Sequence, residues 1–210
     1  IVGNKTVYTY RKALGEYLAI ENNIIADVVV PIPDSGVSAA IGFSQKSKIP
    51  FELGIIRSHY VGRTFIEPSQ TIRQFGVKLK HSVNRSCIEN KKVILIDDSI
   101  VRGTTASKIV KMVYEAGAKE VHLGISCPPI LHPDFYGIDT PNYNQLIASQ
   151  SSLKEMTKLV GAKSLFFLSL NGTYKAMGCE KRNSETPQFT DHCFTGEYPI
   201  DVTEILKLNR

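Results

Sequence analysis

VILIDDSIVRGTT, residues Val93 to Thr105, decides how this chain folds. Four apolar residues, Val93 to Ile96, run into two adjacent carboxylates, Asp97 and Asp98. A loop of small residues follows, and then Ile109, Met112, Val113 and Ala116 recur at the spacing of one buried helical face. Strand, acidic turn, small-residue loop and helix start together make a place for a sugar phosphate. The unpaired N–H groups and positive end of the helix face an anion, Gly103 lets it approach, and Thr104 and Thr105 add hydroxyls. Asp97 and Asp98 can accept hydrogen bonds from vicinal hydroxyls or hold a divalent cation through oxygen. A blander reading makes the carboxylates a strand end and Thr104 or Thr105 a helix cap. Two adjacent carboxylates ending a buried strand repel each other, and a cation or hydroxyl donors would offset that repulsion. The GxxxxGK[ST] spacing of a Walker loop is missing here.

Working outward, short apolar runs alternate with helical patterns, which predicts a parallel sheet covered by helices. Helices are expected over Tyr8–Ile20, Ser35–Ser47, Thr104–Ala116 and Leu153–Val160. Strands are expected over Asp27–Ile32, Phe51–Ile56, Lys92–Asp97, Glu120–Ser126 and Ser164–Ser169. Residues 1–175 read as the folded domain, and residues 176–210 as an irregular tail packing on it. Ligands of open α/β sheets bind beyond the carboxyl ends of the strands. Three segments fall at such ends: PDSG after the first strand, RSHYVGRTF after the second, and DDSIVRGTT after the third.

Pro33-Asp34-Ser35-Gly36 turns from strand directly into helix, so its residues either cap that helix or present its N–H groups to an anion. Arg57 to Lys80 is long for a connection and mixes Gly62, Pro68 and Gly76 with five basic residues, a composition expected of a lid.

Hydrophobic residues make up 42% of the 210 and charged residues 21%, as in a soluble globular protein of one domain. No apolar run approaches the length that spans a bilayer, so no membrane partner is expected. The net charge of +5 suits a phosphate-rich ligand. Its lysines and arginines are dispersed, without an aromatic-interleaved basic stripe, which argues against nucleic acid. Cys87, Cys127, Cys179 and Cys193 lie far apart with no CxxC pair, as suits a reducing cytoplasm. The start, IVGNKTVYTY, lacks an initiating Met and a signal-peptide core, which gives the chain the look of an excerpt.

VILIDDSIVRGTT resembles the phosphoribosylpyrophosphate (PRPP) motif of type I phosphoribosyltransferases. Its DDSIVRGTT form is similar to that of one family among them, the amidophosphoribosyltransferases, or glutamine PRPP amidotransferases, of purine synthesis. PIPDSGVSAAIGFSQ (Pro31 to Gln45), YVGRTFIEPSQTIRQFGVKLK (Tyr60 to Lys80) and PPILHPDFYGID (Pro128 to Asp139) resemble the same family, in its order. The resemblance implies a type I phosphoribosyltransferase fold, a mostly parallel twisted sheet flanked by helices with a flexible lid loop. It also implies transfer of an amino group to C1 of PRPP, giving 5-phosphoribosylamine and pyrophosphate. Asp97, Asp98, Ser99, Val101, Arg102, Gly103, Thr104 and Thr105 would bind PRPP, as would Asp34, Ser35, Gly36 and Arg57. Ser35, Asp97 and Asp98 would place Mg2+. Arg63, Tyr60 and Phe65 match lid positions that form the closed catalytic site and its ammonia route. Arg57 occupies a spot that is Lys in some relatives. Related transferases hold a non-proline peptide of the PDSG-type loop in cis.

Some members of the family carry an iron–sulfur cluster on four cysteines. Asp134 and Thr190 stand where two of those cysteines would be, while Cys193 matches another, so no iron–sulfur cluster is expected. A zinc site from His132, His192, Cys179 and Cys193 has no support in their spacing. Full members begin with a glutaminase domain that starts upstream of the residue matching Ile1. The chain as given would therefore use free ammonia at most. Purine nucleotides as inhibitors and a homo-oligomer are further expectations. Two other functions are weighed: a nucleobase phosphoribosyltransferase, needing a base-binding hood after Ser126, and a non-catalytic PRPP-sensing regulator.

Overall fold

The computed structural model describes residues 5–58, 81–138 and 142–203. Its centre is a parallel sheet of four strands: β1 (Val28–Pro31), β4 (Lys92–Asp97), β5 (Glu120–Ile125) and β6 (Ser164–Phe167), side by side in that order. Val93 pairs with Val28 on one side and Val121 on the other, which makes β4 an interior strand. That position explains its unbroken apolar run, because a strand covered on both faces has no solvent side to mark with polar residues. Val93 and Leu95 join one core cluster while Ile94 and Ile96 join the other, and all four are fully buried.

Helices α1 (Val7–Glu21) and α2 (Val37–Ser47) cover the face that holds Ile94 and Ile96, supplying Leu18, Ala39 and Phe43 to that core. Their backbones touch: a Cβ on Gly15 would lie 1.8 Å from the Ala39 carbonyl oxygen, and one on Gly42 would lie 1.9 Å from that of Lys12. On the opposite face lies α4 (Thr104–Glu115), whose buried residues are Ala106, Ile109, Val110 and Val113, with Met112 at the margin. Beside it is α6 (Leu153–Val160), with Met156 and Val160 inward. Ser152 and Glu155 form a reciprocal capping box at its start, and Gly161 ends it.

One expected strand is corrected. Phe51–Ile56 does not enter the main sheet as a strand. Residues 50–52 bond to the free edge of β1, through Val29 N–H to the Pro50 carbonyl at 2.8 Å and Glu52 N–H to that of Val29 at 3.0 Å. The chain then leaves the sheet. Ile55–Arg57 (β2) pairs antiparallel with His81–Val83 (β3) in a separate ribbon, followed by a single turn of helix, α3 (Arg85–Ile88). The side chains explain the departure: Leu53 and Ile56 are each 56% exposed, so this segment buries no alternating apolar face that would hold it in register. Arg57, which opens the RSHYVGRTF segment, accordingly ends β2 of the ribbon and not a strand of the main sheet.

Beyond β5 come a 3-10 turn (Tyr143–Gln145), one turn of helix α5 (Ile147–Gln150), α6, β6 and α7 (Leu170–Ala176). Past α7 the chain runs irregularly to α8 (His192–Thr195). Arg182 Nε donates to Asp191 Oδ2 at 2.6 Å, and the Tyr174 hydroxyl donates to the same oxygen at 2.8 Å. Leu131 and His132 both donate backbone N–H to the Cys193 carbonyl, at 2.9 and 3.0 Å. The Tyr174 bond fastens the tail to α7, and the two bonds to Cys193 fasten it to the segment after β5. Among the described residues, no helix is long and apolar enough to cross a membrane.

Candidate active site

Two loops meet at the carboxyl ends of β1 and β4. Ile32 N–H bonds to the Ile96 carbonyl at 2.8 Å, so the chain beyond β1 stays beside β4 as it turns. The following peptide, Pro33–Asp34, is cis. Gly36 then passes so close beneath β4 that a Cβ there would lie 2.2 Å from the Ile96 carbonyl oxygen and 2.8 Å from that of Ile32. Only a residue without a side chain fits. The helix α2 starts after Gly36 with no side-chain cap, two residues later than the expected start at Ser35, so neither Asp34 nor Ser35 serves as its cap. Asp34 bonds instead to Arg57, whose Nη1 lies 2.7 Å from its Oδ2. Arg11 reaches the Ser35 carbonyl at 3.4 Å.

The acidic pair ends β4. Ser35 Oγ donates to Asp97 Oδ1 at 3.3 Å, joining the two loops, and the Asp98 N–H donates to the same oxygen at 2.9 Å. Ser99 Oγ donates to Asp98 Oδ1 at 3.3 Å. Burial pushes the Asp97 carboxyl up to about 7, and the neighbouring Asp98 charge adds to the rise. A carboxylate held out of water beside another is a group that a cation would stabilise. The three oxygen-bearing side chains, Ser35, Asp97 and Asp98, suit a hard divalent ion. Sequence reasoning passed over two neighbours. Ser126, at the end of β5, donates its N–H and Oγ to the Asp97 carbonyl at 2.9 and 3.1 Å. Cys127 follows it, and burial together with Asp98 and Asp97 pushes its thiol well above the ordinary range, so it stays protonated. Their only mark in the sequence is their place at a strand end.

Residues Asp97 and Ser99 to Ala106 line a cavity of about 230 Å³. Gly103 stands at the head of α4 in the left-handed region, φ 75°, and supplies no side-chain cap. The first-turn N–H groups of α4 are thus left for a ligand, at the positive end of a twelve-residue helix. Neither Thr104 nor Thr105 caps the helix; both line the cavity. Arg102 turns to the side and donates from Nε and Nη2 to Gln145 Oε1, at 3.1 and 2.9 Å.

The structure thus brings Asp34, Ser35, Gly36, Arg57, Asp97, Asp98 and the Ser99–Thr105 loop to one end of the sheet. Tyr60, Arg63 and Phe65, with the rest of residues 59–80, lie outside the described residues.

Farther along, the donor atoms of Asp134, His192 and Cys193 all lie within 4.8 Å of one another. Asp134 Oδ1 accepts from the N–H groups of Tyr136, Gly137 and Ile138, and Oδ2 accepts from His192 Nε2 at 2.7 Å. Burial and the adjacent Asp134 push the Cys193 thiol up to about 11. One thiol beside a carboxylate already engaged at both oxygens does not supply the donor set of a four-thiolate cluster.

Residues 11–133 match the phosphoribosyl transferase domain family. Over 205 residues the chain is 62% identical to the amidophosphoribosyltransferase of Rhizobium etli, an alignment covering 97% of this chain and 41% of that protein. The structure of glutamine PRPP amidotransferase from Bacillus subtilis, complexed with ADP and GMP, superposes with a TM-score of 0.83 at 51% identity, over 94% of this chain and 43% of that one. The structure of an allosteric regulatory enzyme of purine biosynthesis gives 0.82 at 47% identity, over 97% and 44%. The chain spans about two fifths of the length of the relatives it matches. It belongs to the phosphoribosyltransferase family and corresponds to the phosphoribosyltransferase region of the amidophosphoribosyltransferases.

Proposed function

We propose that this chain binds PRPP with Mg2+ and transfers ammonia to its C1, giving 5-phosphoribosylamine and pyrophosphate. The observation that carries the reading is the pair Asp97–Asp98, joined to Ser35 on one side and leading on the other into the uncapped start of α4. The 5-phosphate sits in the Ser99–Thr105 loop, on the free N–H groups of α4 and the hydroxyls of Thr104 and Thr105. Asp97 and Asp98 accept from the ribose hydroxyls. The backbone of Asp34 to Gly36 faces the leaving pyrophosphate, with Arg57 held close by Asp34.

Ammonia forms its N–C1 bond as the C1–O bond breaks, and the electron pair of that bond departs with pyrophosphate. The ammonium product then loses a proton to water. C1 develops oxocarbenium character, so the residues act by position and charge. Ser35, Asp97 and Asp98 are the residues that would hold Mg2+, which supplies charge neutralisation for the leaving group. Arg63, Tyr60 and Phe65 are assigned to the closed site by resemblance alone.

The ADP and GMP bound by the Bacillus subtilis relative support purine nucleotides as inhibitors. The relative named for purine biosynthesis supports a place in that pathway. A glutaminase region as ammonia source, a homo-oligomer, a cytoplasmic setting and the absence of an iron–sulfur cluster belong to the same reading. The test is release of pyrophosphate from PRPP and Mg2+ with ammonia as acceptor, beside parallel reactions with purine and pyrimidine bases. Release that requires ammonia supports the proposal; release only with a base, or binding without release, overturns it.

A further inference from the structure

We infer that Gln145, 43 positions from Arg102 in sequence, is a positioning residue for the 5-phosphate of the substrate. The inference rests on the PRPP reading above. A loop that binds an anion through backbone N–H groups has to be held in one conformation before the ligand arrives, or part of the binding is lost in ordering it. Gly103, at φ 75°, is the least constrained residue type at the point where the loop enters α4.

The segment from Tyr143 to Ile147 supplies the constraint from behind. Ile147 N–H bonds to the Val101 carbonyl at 2.9 Å. The Ile147 side chain rests against Gly103, its Cδ1 2.8 Å from where a Cβ would stand. Gln145 Oε1 receives both Nε and Nη2 of Arg102. The brace is itself fixed: Leu146 is fully buried, and Ser149 Oγ donates to the carbonyls of Tyr143 and Leu146 at 2.6 and 2.9 Å. Three consecutive loop residues, Val101, Arg102 and Gly103, are therefore each held by one short stretch of chain. The Arg102–Gln145 bond is the member of this set made entirely by side chains, so substitution can remove it without touching the backbone.

The experiment uses Gln145→Met, which keeps the side-chain length and removes the acceptor, in the protein at its natural length. Gln145 is exposed, so the variant is expected to fold. The readouts are kcat and KM for PRPP, and calorimetric affinities for ribose 5-phosphate and for pyrophosphate. Loss of the two solvent-screened, charge-assisted hydrogen bonds that share Gln145 Oε1 is expected to raise KM and weaken ribose 5-phosphate about fivefold, with kcat and pyrophosphate affinity changed by less than about twofold. In an Arg102→Met background the same substitution is expected to change nothing further. An unchanged KM, an equal loss for pyrophosphate, or an undiminished effect in the Arg102→Met background overturns the role of Gln145. Wild-type protein that neither turns over PRPP nor binds ribose 5-phosphate refutes the function reading instead, and this inference with it.

Discussion

Gly36→Ala isolates the closest backbone contact in the candidate site. The added Cβ would fall 2.2 Å from the Ile96 carbonyl oxygen and 2.8 Å from that of Ile32. Both obstacles are backbone and cannot rotate away. Relief requires the loop to move from the end of β4 by about 1 Å, since ordinary contacts begin at roughly 3.3 Å. That displacement strains two hydrogen bonds, Ile32 N–H to the Ile96 carbonyl at 2.8 Å and Gly36 N–H to the Ile32 carbonyl at 3.0 Å. At about 1 kcal/mol for each bond, plus the cost of a buried group left unpaired, the loss is about 2–4 kcal/mol. For a chain of this size that is a fall in Tm of roughly 5–15 °C. The same movement carries Ser35 away from Asp97, 3.3 Å apart in the native site, so the cation and the pyrophosphate lose their shared frame. KM for PRPP should rise at least about tenfold, one factor of ten per 1.4 kcal/mol. The assays are thermal unfolding followed by circular dichroism and steady-state pyrophosphate release. A variant with native Tm and native KM would refute the packing argument and the claim that the two loops work as a unit.

Asp98→Asn should abolish most PRPP turnover while leaving the fold intact, because the carboxylate lies at a strand end outside the core clusters; normal kinetics in the folded variant would sink its assignment. Asp191→Ala should lower stability by about 1–3 kcal/mol, because it removes the acceptor of Arg182 Nε and of the Tyr174 hydroxyl and leaves Arg182, whose side chain is 11% exposed, with Glu197 alone. Burial pushes the Asp191 carboxyl up, but Arg182 and Tyr174 outweigh it and hold it below its ordinary 3.8. Its contribution is therefore present above about pH 4 and lost as pH falls through the depressed folded value. Acid unfolding of Asp191→Asn should show a shallower limb, and a superimposable one would discount the pairing. Protein purified without oxygen should contain no stoichiometric iron by elemental analysis; stoichiometric iron would mean that the Asp134–His192 pair gives way to a metal.

The parts of the fold that the sequence determined unaided are those written within one element and its next turn. Val93 to Ile96 had to be an interior strand because four consecutive apolar residues leave no solvent face, and β4 is buried on both sides. Asp97 and Asp98 had to project from its end, whereas a cap by Thr104 or Thr105 stayed open in the sequence and the structure opens α4 at Gly103 without one. Leu153–Val160 carries its own capping box and terminal glycine, and its bounds match the expectation. Contacts between distant segments were decided by the tertiary structure. Phe51–Ile56 has the composition of a strand, yet its lack of a second apolar face sends β2 into a separate ribbon. Asp34, 23 residues from Arg57, pairs with it only because the loop after β1 and the end of β2 meet in the folded chain. Arg102 and Gln145 are 43 positions apart, and Asp134 and His192 are 58. Local periodicity records which face of an element is buried, but it carries no record of which remote side chain meets it. The chemistry of the site is therefore legible in the motif, while the brace that holds the motif in shape exists only in the folded chain.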